Sequence, residues 1–236
     1  MEFIKLHYFY LMKHINNDKE DLIMQRVKKY SLLVLLIIFT GMGVAISLKA
    51  SIGVGAWDAM TQSIAFLTGI KIGTIGMILN CLCVLGQVLL LKKNFKPLQF
   101  MQVPVSILLG IVVNFFLYDV LSSFSWENYF LRFILFILAV LLIAFSVSAV
   151  MVLNIVTFAV EGLCMALSIK IKKDFSRIRQ GADIFSIVIS LIITFGLSQT
   201  LTLREGTIIG MLIFGPLLGV FMKFLKPIFI KLDLDK

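Results

Sequence analysis

Six stretches of the chain run free of charge for long enough to cross a bilayer: Ser31 to Leu48, Ile72 to Leu91, Pro97 to Tyr118, Phe133 to Val160, Ile184 to Leu203 and Gly206 to Met222. Each is close to or above the roughly 17 to 25 apolar residues that span as a helix. None has the polar-apolar alternation of an outer-membrane barrel strand, so the pattern predicts helices that satisfy their own backbones in lipid. Two connections, Lys49 to Lys71 and Leu153 to Ser176, are too apolar for ordinary loops. In the first, Trp57 to Thr68 reads as a short helix with Asp58 in its first turn, where the helix dipole favours an anion, and Gly69 as its stop. Its length, roughly 18 Å, falls short of a hydrocarbon core of about 30 Å. In the second, Val160 to Lys170 carries Glu161 in the matching place.

Displacing the sequence by 103 residues lays Asp58 on Glu161, Asn80 on Asp183, and the long spans before them on each other. Identities are few (Val44 with Val147, Ile52 with Ile155, Ala56 with Ala159, Ile75 with Ile178), but the layout of span, short acidic helix, span, span occurs twice. A unit with an odd number of spans must invert when repeated. The expected fold is therefore an all-α integral membrane protein of six transmembrane helices, arranged as two inverted three-span repeats. Each repeat has a short re-entrant or interfacial helix after its first span. The expected segments are a cytoplasmic extension over 1–30, repeats over 31–121 and 131–226, and a cytoplasmic tail over 227–236.

Composition agrees: 60% of the 236 residues are hydrophobic, 15% are charged, and mean hydropathy is +1.02. The net charge of +9 does not point to nucleic acid, because its placement follows membrane topology. With the N-terminus inside, eighteen Lys and Arg fall on inside segments and four (Lys49, Lys71, Arg132, Arg204) outside, which predicts that both termini are cytoplasmic. Residues 1–30 lack the apolar core and cleavage site of a secretory signal. Met24 reads as an alternative start, and "FIKLHYFYLMK" as an alternative interfacial helix. Cys81, Cys83 and Cys164 lie in or beside apolar segments and read as small packing residues, not as a disulfide or zinc framework. The only histidines, His7 and His14, are in the N-terminal segment, and no zinc-protease, phosphate-loop or dinucleotide pattern occurs. No enzyme activity, metal or cofactor is expected.

The first half carries Ala50-Ser51-Ile52-Gly53-Val54-Gly55-Ala56-Trp57-Asp58 and Thr68-Gly69-Ile70-Lys71-Ile72-Gly73-Thr74. These stretches resemble the A-x-L-G-x-x-P-W-D and T-G-x-S-x-G-T runs of the YczE/YyaS/YitT group of bacterial multi-pass membrane proteins, most closely its YczE-like branch. The second half carries Ala159-Val160-Glu161-Gly162-Leu163-Cys164-Met165-Ala166-Leu167, then Ile178-Arg179-Gln180-Gly181-Ala182-Asp183, then Gly206-Thr207 through Gly215-Pro216. They are similar to that group's P-x-D-G-L-M-x-A-L, V-R-x-x-x-E and G-T to G-P runs. Both prolines before the acids are alanine here, Ala56 and Ala159, so the entry to each short helix falls to Gly53, Gly55 or packing. The resemblance covers about residues 31 to 226. It implies a multi-pass protein of the bacterial cell membrane and carries fold further than function.

An ionisable group at membrane depth costs about 2.5 to 3.5 kcal/mol on insertion scales and needs a partner, water or a proton. Asp58 and Glu161 are therefore the main candidates for a substrate or ion site. They line a central site if the short helices dip inward, and only cap helices at the interface if they lie flat. Gln62 and Met165 follow the two acids by one turn, and Trp57 adjoins the first as a substrate contact or an interfacial anchor. Arg179 and Asp183, four apart on the fifth helix, form an ion-sensitive pair or a structural one; Asn80 is the neutral counterpart of Asp183. Asn154 and Thr157 either meet substrate or satisfy backbone at a bend. Gly53, Gly55, Gly69, Gly73, Gly162, Gly206, Gly215 and Pro216 are the candidate hinges. The expected function is a transporter or permease for a small solute, proton- or ion-coupled if one acid is held protonated by burial. The alternative is a non-transporting membrane regulator or scaffold that docks a cytoplasmic protein or anionic lipid through Lys170 to Arg179. The expected partners are the bilayer, the solute, and a second copy or a cytoplasmic protein, with no nucleic acid.

Overall fold

The computed structural model describes residues 2–232, with side chains from Ile23 onward. The expectation about Met1 and the last four residues of the tail fall outside it. Eight helices follow one another: α1 (Glu2–Ala50), α2 (Ala56–Thr68), α3 (Ile72–Leu91), α4 (Gln102–Asn114), α5 (Tyr129–Leu153), α6 (Ala159–Ile171), α7 (Phe175–Leu191) and α8 (Glu205–Lys231). α4 and α7 each end in a π-helical turn, Phe115–Val120 and Ile192–Gly196. Six helices are long and apolar enough to cross a membrane, α2 and α6 being the two that are not. The chain is thus a multi-pass membrane protein. The segment expected as a separate N-terminal extension is continuous in helix with the first span.

The fourth apolar run does not stay helical to Val160. α5 stops at Leu153, Asn154 turns into the left-handed region at φ 53°, and Ala159 opens α6. An amide side chain tolerates that conformation better than the β-branched residues around it. α1 stops in the same manner at Ala50, with Ser51 at φ 54° and α2 beginning at Ala56. Gly69, at φ 71°, closes α2 as the sequence predicts, donating its N–H to Ala65 O at 2.9 Å. Lys172, at φ 56°, closes α6. Each of these boundaries in the second half lies 103 residues after its counterpart: Ala50 and Leu153, Ala56 and Ala159, Gly69 and Lys172, Ile72 and Phe175, Gln102 and Glu205.

The core forms where α1 and α5 cross, with α4 closing on α1 and α8 on α5. Small residues permit the close approach: a Cβ at Gly43 meets Ala139 O at 3.3 Å, and one at Gly41 meets the Val112 side chain at 2.6 Å. Leu33, Leu36 and Ile37 of α1 pack there with Val150 and Leu153 of α5 and Leu225 and Phe229 of α8. Outside this frame, α2 packs against α7 and α6 against α3. One end of the bundle gathers Lys49, Arg132 and Arg204, and the other carries the lysine-rich connections.

Candidate functional site

The two short helices begin alike. Gly55 and Phe158 occupy their N-cap positions in extended conformation, neither helix has a side-chain cap, and the acid is the third helical residue of each. Both first turns leave backbone N–H groups facing forward and place a carboxylate beside them, the arrangement the helix dipole favours. The Asp58 carboxylate leans over Gly55, where a Cβ meets Oδ2 at 3.3 Å.

The four ionisable residues singled out in the sequence come together. Arg179 Nε lies 3.5 Å from Glu161 Oε1, and its guanidinium donates to Asp183 Oδ1 one turn further along α7. Asp58 lies within electrostatic reach of Arg179, Glu161 and Asp183. The three paired side chains are largely sheltered by the protein: Glu161, Arg179 and Asp183 retain only 17%, 23% and 22% of their exposure. Two carboxylates, Glu161 and Asp183, thus pair with one guanidinium, and Asp58 lies in the same neighbourhood without a direct contact to it. With all four ionised the cluster carries a surplus of negative charge, which a proton or a cation relieves. Among the described residues, no three acidic, cysteine or histidine side chains approach closely enough to hold a metal ion.

Trp57, half-buried, packs against the cluster formed by Cys83 and Val84 of α3 with Ala159, Val160 and Cys164 of α6. Cys83 and Cys164 are buried and Cys81 is half-buried, all as free thiols. Gln62 and Asn80 are half-buried, and Met165 is exposed. Asn154 is exposed and serves as the left-handed C-cap of α5. Gly215 and Pro216 lie on an exposed stretch inside α8, apart from the acids. A hollow of about 260 Å³ lies beyond the other end of α2, lined by Ala65, Phe66, Gly69, Lys71 and Tyr118.

What fixes the first turns is a set of braces that the sequence reading missed. Before α2, Arg132 donates to Ala50 O at 2.6 Å and Ser51 O at 2.7 Å, and Arg204 donates to Ser51 O at 2.5 Å. Gly206 N–H donates to Ile52 O at 3.0 Å, Ser47 Oγ to Gly53 O at 3.0 Å, and Val54 N–H to Thr207 Oγ1 at 3.4 Å. Gly53 is the close-approach glycine: a Cβ there overlaps the backbone of Gly206 and Thr207. Before α6 the brace is a pair of amides. Gln87 Nε2 donates to Gln102 Oε1 at 2.7 Å and to Ala159 O at 3.1 Å; Gln102 Nε2 returns a bond to Gln87 Oε1 at 3.2 Å and reaches Thr157 Oγ1 at 3.5 Å. Both glutamines are wholly buried, and a Cβ on Gly162 meets their amides at 2.7 to 2.8 Å. Gly73 plays the same part between α3 and α4, where Asn114 Oδ1 accepts from its N–H at 2.9 Å. The available signal was an uncharged amide inside an apolar run, a weaker flag than an ionisable group.

The model of a family of unknown function, DUF6198, matches residues 27–223, a region that holds every brace and all four clustered charges. No curated protein and no solved structure matches the chain.

Proposed function

The chain belongs to the DUF6198 family, and from that premise we propose that it is a secondary transporter or permease for a small solute, built from two inverted three-span repeats. One observation carries the reading: two short helices with uncapped first turns, each bearing an acid there, both pack against α7 inside a bundle of spanning helices, and on α7 Arg179 pairs with Glu161. Broken elements at corresponding places in two halves mark the binding site of many secondary transporters.

The repeat is supported by exchange of partners. α2 packs against α7 and α6 against α3. The start of α8 holds the break before α2, and the start of α4, 103 residues earlier, holds the break before α6. The motif resemblance to the YczE-like branch fits the same architecture. We place the lysine-rich end and both termini in the cytoplasm of a bacterial cell, by the distribution of Lys and Arg. Neutral, proton-coupled exchange is the natural cycle for a site in which carboxylates outnumber cations, and the chain needs neither a cofactor nor a bond-making step.

The test is a flux screen in proteoliposomes with wild type, Asp58→Asn and Glu161→Gln. Flux of at least one solute in wild type and its loss by tenfold or more in either variant is the expected result. Equal flux in all three removes these acids from the mechanism.

A further inference from the structure

α7 is held differently from every other spanning helix. Its counterpart α3 packs against both short helices and also closes tightly on α4. At that crossing Gly73 and Gly110 oppose each other so closely that a Cβ on either overlaps the partner helix, and Asn114 ties them by accepting from Gly73 N–H and donating to Thr74 Oγ1 at 3.0 Å. Ile213 stands where this crossing would need a second glycine in the other half, 103 residues after Gly110. Accordingly α8 does not close on α7, whose close packing partners among the described residues are α2, α6 and its own π-helical turn. A Cβ added to Gly181 of α7, or to Gly215 or Gly219 of α8, meets nothing within 4 Å.

The seam that does hold α7 is smooth. Its sheltered face runs through Arg179, Asp183, Ser186, Ser190 and Thr194. The serine hydroxyls bond back to their own helix, Ser186 to Ala182 O at 2.9 Å and Ser190 to Ser186 O at 3.0 Å, and Thr61 on α2 does likewise, while Ser63 of α2 bonds both to its own helix and beyond α7, to Thr202 Oγ1 at 2.7 Å. Such internally satisfied hydroxyls offer contact without a fixed register. Thr194 Oγ1, buried in the π-helical turn, has no hydrogen-bond partner among the described residues, and neither has Ser146 Oγ of α5. The chain enters α7 after Lys172 and leaves it through Ser198, both at positive φ.

We propose that α7 is the moving element of the molecule: it shifts as one rod along α2 and α6, towards and away from α8, and carries Arg179 and Asp183 out of register with Glu161. The inference deepens the transport reading and rests on it for its purpose, because the shift opens and closes the charged cluster. The frame of α1, α4, α5 and α8, with α3 locked to it, stays still. Ion pairing between Arg179 and Glu161 holds the position seen here.

Spin-label distances on full-length protein in liposomes test it. In a background with Cys81, Cys83 and Cys164 replaced by alanine, one pair of labels goes on Phe185→Cys and Leu212→Cys, which face outward from α7 and α8 at 60% and 73% exposure. The control pair goes on Leu82→Cys of α3 and Ile111→Cys of α4, also exposed. The expected result is one narrow distance for the control and two distances for α7 to α8, with their ratio moved about threefold or more by Glu161→Gln. A single α7 to α8 distance as narrow as the control, in the parent and in the variant, overturns the inference. The two populations in the parent are read before any charge is removed, so the test does not depend on the variant folding. It also requires no flux: a solute screen without transport counts against the transport reading, and a fixed α7 in a protein that transports counts against this one.

Discussion

The break before α2 is stitched by arginines, a serine, a threonine and a backbone N–H reaching into one end of the bundle, whereas the break before α6 is stitched by two amides wholly buried near the other. The task is the same in both halves: five residues of non-helical backbone in an apolar surrounding must have their carbonyl and N–H groups satisfied by something other than water. The charged solution spreads the load over several partners, with the two arginines nearest solvent and Ser47, Gly206 and Thr207 buried behind them, so each is replaceable. The amide solution concentrates it in two side chains that satisfy each other as well as the backbone, so neither is. Redundancy on one side and mutual dependence on the other is the difference between the halves, and it sets how much substitution each half tolerates.

The largest effect belongs to the glycines that let the braces close. Gly53→Val drives a side chain into the backbone of Gly206 and Thr207, which has no rotamer to yield. Overpacking of this kind costs about 3 kcal/mol, equivalent to a fall in the detergent unfolding midpoint of roughly 6 to 12 °C. Gly162→Val meets only amide side chains at 2.7 to 2.8 Å, which can give, so its fall is the smaller of the two. Equal falls would mean that backbone and side-chain braces are equally rigid.

Next comes the amide pair. Gln102→Leu strands the Gln87 amide in a buried site, at a cost of about 1 to 3 kcal/mol. Adding Gln87→Leu removes the half-stranded amide but also its bond to Ala159 O, so the double variant is expected to lose less than the sum of the two singles. Thermal unfolding of the two singles and the double measures this coupling, and additive losses would contradict mutual dependence.

Smaller still is Arg132→Lys, which exchanges a fork bonded to two carbonyls for a point donor while Arg204 still holds Ser51. A midpoint within roughly 4 °C of wild type is expected, equivalent to about 1 kcal/mol. A loss as large as that of Gln102→Leu would erase the contrast between the halves. Thr207→Val, which deletes two long hydrogen bonds of 3.4 Å, from Val54 N–H and Arg204 N–H, is expected to change the midpoint least, by about 2 °C or less.

The spans and both short helices were legible because length without charge, and an acid at a helix start, are local signals. The displacement of 103 residues was found through spacing and not through identity, from Asp58 and Glu161, and it also relates the starts of α2, α3 and α4 to those of α6, α7 and α8. The stop at Leu153 was legible as the start of the second connection, with Asn154 marking the bend, although the charge-free run itself continues to Val160. Gln87, Gln102 and Asn114 escaped notice because an uncharged amide is tolerated in a span without comment; its importance depends on which backbone group it meets, and that is a tertiary fact. Arg132 and Arg204 were legible as topology and silent as braces for the same reason. Of the candidate site, Glu161, Arg179 and Asp183 do meet, and Trp57 packs against the cluster that includes Ala159 and Val160, while Asn154 serves as a cap and Gly215 and Pro216 lie on an exposed stretch of α8.

The transport reading stands on the two short helices dipping inward to a shared site, and solvent access measures that. In the cysteine-free background, Asp58→Cys and Glu161→Cys are reconstituted singly in oriented liposomes and exposed to a membrane-impermeant thiol reagent from one face and then from the other. A single face is predicted to suffice for labelling both positions, because both acids line one cavity. Labelling of Asp58→Cys only from one face and of Glu161→Cys only from the opposite face would contradict it, and would return both helices to the membrane surface.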